Sequence, residues 1–153
     1  MNNVVDFQAY QQRNWDQFRE RAVHWLDPAE YQTYYQEMVS WVLARANWYE
    51  RYLVEEALFE TLLDGFCMGL EASRRYKDAE KGEKREQAAA VFKQHYLKLA
   101  DESVRRYSGK YQLFQTLDEW TYLSIQIVLD DCICRWFEKG FREGMLRKKR
   151  KQW

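Results

Sequence analysis

The sequence predicts an all-α protein, a bundle of about five or six helices, and three observations carry that expectation. Apolar residues recur at spacings of three and four along nearly the whole chain, with no surviving strand-like alternation. One proline and six glycines in 153 residues leave few places to interrupt a helix. Where the period does break, the residues there resemble helix caps.

Taken in order, the first helix is expected from about Val4 to Leu26, with Phe7, Trp15, Phe18, Ala22, Trp25 and Leu26 on its apolar side. Asp27, Pro28, Ala29 and Glu30 then read as a capping box, with Asp as N-cap, Pro at the first helical position and Glu three residues after the cap. From Pro28 the period continues through Tyr31, Tyr35, Met38 and Val42 to Trp48, Tyr49 and Tyr52; it allows either an unbroken helix to Tyr76 or a kink near Ala46 and Asn47. The segment Tyr52 to Tyr76 places Phe59, Leu62, Phe66, Gly69, Leu70 and Ser73 on one side. Lys77 to Lys84 reads as a solvated loop around Gly82. A fourth helix, Arg85 to Tyr107, uses Ala89, Phe92, Tyr96, Leu99 and Val104, and Ser108 with Gly109 closes it. Thr116 and Glu119 form a second capping box, opening a helix to about Arg147 whose stripe is Tyr122, Ile125, Leu129, Ile133, Trp136 and Gly140.

The chain reads as one domain over residues 1–153, long enough to bury a core without disulfides or metal. Hydrophobic residues are 46% and charged ones 31%, a balance that argues against a disordered chain. Aromatics reach 17%, with 7 Trp, 11 Tyr and 8 Phe. That exceeds what one small core needs and points to an interface, for which the second helix offers aromatics on both sides. The candidates are Trp15, Tyr31, Tyr34, Tyr35, Trp41 and Trp48.

Cys67, Cys132 and Cys134 are odd in number and lie in apolar helical stretches, so reduced, buried thiols and a cytoplasmic location are expected. The polar start, Met1 to Tyr10, has no leader-like basic and apolar regions. The most apolar stretch, Trp120 to Phe137, contains Asp130, Asp131 and Arg135 and is expected to be a core helix rather than a membrane span.

A short string recurs: Gly65, Phe66 and Gly69 against Gly140, Phe141 and Gly144, at an offset of 75 residues. Weaker matches keep the same order, giving candidate repeat halves 1–77 and 78–153. Glycine inside a helix costs about 1 kcal/mol against alanine. Glycines four apart stack on one helix face, so these four are expected where another element packs closely: the backbone of the other glycine helix, or a neighbouring aromatic such as Trp136 or Phe66.

Formal charge is zero overall, yet residues 1–73 hold 5 Lys or Arg against 12 Asp or Glu and residues 74–153 hold 19 against 12. The halves thus carry −7 and +7, a pattern that favours a compact or self-associating protein. Arg147, Lys148, Lys149, Arg150 and Lys151 make a basic end, a candidate polyanion contact or a solvated helix terminus complementing the dipole.

Chemistry-bearing patterns are sparse. Glu56, Glu60 and Asp64 repeat every four residues and, with Asp130 and Asp131, are the candidates for a magnesium-dependent nucleotide hydrolase, although the acidic run also reads as a solvated face. Asp130, between Leu129 and Ile133, would need a partner such as Arg135 or Arg74 if buried. No Glu-x-x-His pair, phosphate loop or nucleophile motif occurs, so no catalytic or cofactor-binding residue and no cofactor is assigned.

The two glycine strings, the many Trp and Tyr and the basic end resemble those of small helical proteins of spore-forming Gram-positive bacteria, a family of unknown function. The resemblance implies no activity and no site residues. The residues themselves favour a non-enzymatic protein acting through protein contacts as a homodimer; a nucleic-acid contact by the basic end is the alternative.

Overall fold

A computed structural model describes residues 3–76 and 84–150, and those residues form an all-α bundle. The expected loop at 77–83 and the last cation, Lys151, lie outside the described residues, as does the side chain of Phe7. The helices are α1 (Asn3–Ala22), α2 (Pro28–Tyr34), α3 (Trp48–Arg75), α4 (Lys84–Val91), α5 (Leu97–Lys110), α6 (Leu113–Thr116) and α7 (Glu119–Lys149). No described helix is long and apolar enough to cross a membrane.

Local chemistry explains where each element starts and stops. The first helix ends earlier than its sequence suggests: α1 gives way to a 3₁₀ turn, Val23–Trp25, and Leu26 and Asp27 are extended. Asp27 caps α2 by accepting from the Ala29 amide at 2.9 Å, but Glu30 does not complete the box and pairs with Lys139 instead. α2 loosens into a π-helical turn, Tyr35–Val39, and the chain breaks at Ala46 and Asn47. There the Asn47 and Glu50 side chains each accept from the other's backbone amide, in a full capping box that starts α3.

The second half departs more from expectation. Ser108 and Gly109 do not close their helix, which runs on through Lys110. The reversal is made two residues later by Gln112, whose φ of 53° is the left-handed conformation. Thr116 is not the cap of the last helix either. It ends α6, and Asp118 caps α7 by accepting from the Thr121 amide and hydroxyl, both at 2.9 Å.

Two long helices, α3 and α7, form the centre. An added Cβ on Gly65 would meet the Ile133 carbonyl oxygen at 2.6 Å, and one on Gly69 would strike the Phe137 carbonyl oxygen and the Phe141 amide nitrogen. One on Gly140 would strike the Phe66 carbonyl oxygen and reach the Leu70 amide nitrogen. The two backbones therefore touch, and the glycines make room for main chain rather than for an aromatic ring. Advancing along α3 from Gly65 to Gly69 advances along α7 from Ile133 to Phe137, so the two helices run parallel.

The contacts are reciprocal: Gly69 meets Phe137 and Phe141, Gly140 meets Phe66 and Leu70, and each related pair is 71 residues apart. Asn47 and Asp118, the two N-caps, share that spacing. The register of the crossing is thus 71, one helical turn short of the offset of 75 suggested by the matching strings. Gly144 is buried one turn beyond Gly140.

The other helices flank this pair. α2 runs antiparallel to both, with Glu30 on Lys139, Tyr34 on Asp131 and Tyr35 on Glu55. α5 runs antiparallel along α3, with Tyr96 on Glu71, Tyr107 on Asp64 and Lys110 on Glu60. α4 packs on α7 through Phe92, which follows it and meets the Phe137 ring at 5.0 Å. α1 lies across α3.

Cys67 and Cys132 are buried, whereas Cys134 is exposed, against the expectation of three buried thiols. Burial pushes the Cys67 thiol up to about 12, with Asp64 beside it adding to the shift, and complete burial raises Cys132 further from reactivity. A thiol-reactive dye at pH 8.5 should therefore label one site per native chain, Cys134, and three in denaturant. Rapid labelling of Cys67 or Cys132 in the native protein would contradict this packing.

Candidate interaction surface

Because α3 and α7 are parallel, their first turns emerge at the same end of the bundle. Those turns are unusually apolar on the outside. α3 contributes Trp48, Tyr49 and Tyr52, and α7 contributes Trp120, Leu123 and Ile127. Trp41, from the link before α3, and Phe114, from α6 before α7, complete the set. Trp48 is 79% exposed, Phe114 71% and Ile127 68%.

The rings are organised rather than scattered. Trp41 and Trp120 meet edge to face at 6.1 Å across the two halves of the chain, Trp48 leans on Tyr49 at 5.8 Å, and Phe114 on Tyr122 at 5.3 Å. Beside the Trp41 and Trp120 pair lies a cleft of about 530 Å³ that also exposes Arg45, Glu50 and Asp118. Trp41 and Trp120 are the ring pair of this set that joins the two halves of the chain; the others are exposed singly or in local pairs.

The sequence-derived interface residues divide between this end and the core. Trp41 and Trp48 belong to the exposed end. Tyr34 does not: it is 4% exposed, packs edge to face on Trp136 at 5.0 Å, and donates to the Asp131 carboxylate at 2.8 Å and the Val128 carbonyl at 3.1 Å. Burial raises its phenol above the ordinary range, and the bond to Asp131 adds to this. Trp15, Tyr31 and Tyr35 are half-buried against the core. Sequence reasoning missed Trp120, Leu123 and Ile127 because they lie in the helix read as wholly core. Their spacing of three and four is a second stripe on α7, separate from the Ile125, Leu129 and Ile133 stripe.

The acidic candidates do not converge. Among the described residues no group of three or more His, Cys, Asp or Glu is placed to hold a metal ion. Glu60 is engaged by Lys110 at 3.2 Å and by the Tyr111 hydroxyl at 2.9 Å, and Glu56 is half-buried. Asp130 is exposed, and it is Asp131 that pairs with Arg135, at 2.9 Å. Asp64 contradicts the solvated-face reading altogether, being 1% exposed.

Asp64 sits at a seam of α1, α3 and α5. Its Oδ2 accepts from the Ser103 hydroxyl at 2.9 Å and the Tyr107 hydroxyl at 3.0 Å. Arg106 stands 3.8 Å away, and Arg19 of α1 brings its Nε to 3.1 Å from Oδ1. That last contact is close but not aligned as a hydrogen bond: Arg19 Nε, Asp64 Oδ1 and the neighbouring Thr61 hydroxyl are the buried side-chain polar atoms without one among the described residues.

The basic end is partly committed to the bundle. Arg147 lies over the Trp25 ring at 3.8 Å and pairs with Glu143 at 2.9 Å. Lys148 is half-buried, while Lys149 and Arg150 are exposed. Comparisons with family models, with curated proteins and with solved structures returned no match to this chain.

Proposed function

We propose that the protein is a non-enzymatic interaction protein that acts as a homodimer, joined through the aromatic end of the bundle. The observation that carries this reading is the ring of exposed apolar side chains around Trp41, Trp48, Trp120 and Ile127. Trp41 and Trp120, both more than half exposed and packed edge to face, offer the kind of central aromatic anchor on which interfaces are built. Trp and Tyr suit that use, since their large rings bury much surface while a polar edge stays satisfied. The rim carries both signs, with Arg45 beside Glu50 and Asp118, so a two-fold apposition of one copy on another can match unlike charges. The same reading treats the halves of the chain as related units, a view the reciprocal 71-residue register favours.

Light scattering tests the proposal directly. The native chain should run at twice its 18.8 kDa mass, and Trp41→Glu with Trp120→Glu should return it to a monomer with unchanged helical circular dichroism. A native chain that stays monomeric up to about 100 μM would remove the homodimer.

A further inference from the structure

We infer that the groove between α3 and α5 is a receptor for an arginine-bearing helix, that α1 is its exchangeable resident, and that α1 of a second copy can take its place. Over residues 11–22 the seam sets the contact of Arg19 with Asp64 against modest apolar burial. Ala22 is the fully buried side chain of α1 among those described, Trp15 and Phe18 are half-buried, and most of the remaining described side chains are exposed. Undocking this stretch gives up little apolar area.

Arg19 supplies the specific contact. It reaches Asp64 at 3.1 Å and lies 5.9 Å from the Tyr107 ring centroid, so it reads both the carboxylate and the phenol of the groove wall. Arg19 and Asp64, with Thr61, hold the hydrogen-bonding defects noted above, and imperfect satisfaction weakens a buried contact without removing its specificity. Were α1 to leave, Asp64 would keep Ser103 and Tyr107 as donors and so could wait for another cation. The extended Leu26 and Asp27 between the 3₁₀ turn and α2 provide a place to hinge, and Trp25, under Arg147, fixes where the hinge begins.

The occupant follows from the groove itself. Its wall needs a helix with a guanidinium placed between small and aromatic apolar residues, and the sequence of α1, with Trp15, Phe18, Arg19 and Ala22, has that pattern. Exchange between two copies uses the same contacts as the closed chain, so the groove requires no other partner. This mode of association uses Asp64, Ser103 and Tyr107, none of which belongs to the aromatic end.

A fluorescein-labelled peptide of residues 3–27 tests the inference against the full-length chain by anisotropy, alongside native-state hydrogen exchange. The peptide should bind, at least tenfold more weakly when it carries Arg19→Ala, and α1 amides should exchange about a hundredfold faster than those of Thr61 to Leu70. Asp64→Asn in the chain should speed exchange in α1 while α3 and α7 stay protected. Binding that ignores Arg19, no binding at millimolar peptide, or α1 amides that exchange only with α3 and α7 would each overturn it. The peptide contains none of the aromatic-end residues, so these results stand apart from the light-scattering outcome.

Discussion

Gly69→Ala should destabilise the protein by about 3 kcal/mol or more, a large loss for the addition of one methyl group. The new Cβ would be driven into the Phe137 carbonyl oxygen, with the Phe141 amide nitrogen at 2.7 Å and the Gly140 carbonyl carbon at 3.0 Å. These are main-chain atoms of a buried helix, so no rotamer change can relieve the clash, and α3 and α7 must separate along their crossing. Gly140→Ala should behave alike, since its Cβ would strike the Phe66 carbonyl. Thermal unfolding reads the effect, at roughly 2–4 °C per kcal/mol for a chain of this size. Gly109 supplies the contrast: nothing lies within 4 Å of its added Cβ, and alanine there should stabilise by about 0.5–1 kcal/mol. A melting temperature that rises for all three, as helix propensity alone dictates, would show that the crossing does not govern them.

Asp64→Ala should cost about 3 kcal/mol in urea unfolding, because it strands a buried cation and two hydroxyls at once. Arg19 would lose its charge partner, and Ser103 and Tyr107 would each donate to nothing. Arg19→Met should cost far less, about 1 kcal/mol. The carboxylate would retain both hydroxyl donors and Arg106 at 3.8 Å, while the methionine keeps the packing of the arginine stem. The order of the two losses is the critical result. If Arg19→Met were the more damaging, the seam would depend on the guanidinium rather than on the carboxylate.

The all-helical architecture was legible because α3 and α7 carry their period over 28 and 31 residues, and no local breaker competes with it. The ends were less legible. Ser108 and Gly109 have the residue types of a helix stop, yet continued packing of Tyr107 and Ser108 against the core carries the helix past them. Thr116 and Asp118 are both good caps, and only the geometry of α6 selects the second. The glycines marked the crossing, but identity of letters placed it one turn away from the register that backbone contact sets.

For the candidate surfaces, residue type alone could not separate inside from outside. Tyr34, Tyr31 and Tyr35 stand close together in sequence with Trp41, and the π-helical turn after Tyr34 changes the angular relation between them. Asp64 continued the four-residue spacing of the half-buried Glu56 and Glu60, and nothing in the sequence announced that α1 and α5 would close over it.

The parallel course of α3 and α7 has an electrical consequence at the aromatic end. Two helix macrodipoles point their positive poles there, each equivalent to about half an elementary charge. Glu50 and Asp118 sit on those poles as capping carboxylates, and α2 and α5, running the other way, bring their negative poles to the same end. The carboxylates and the negative poles together outweigh the two positive poles, so that end is negative rather than neutral. Two copies meeting there would oppose like charge, so attraction between them must come from the exclusion of water around the aromatic rings and not from the opposed charges of −7 and +7 that divide the chain.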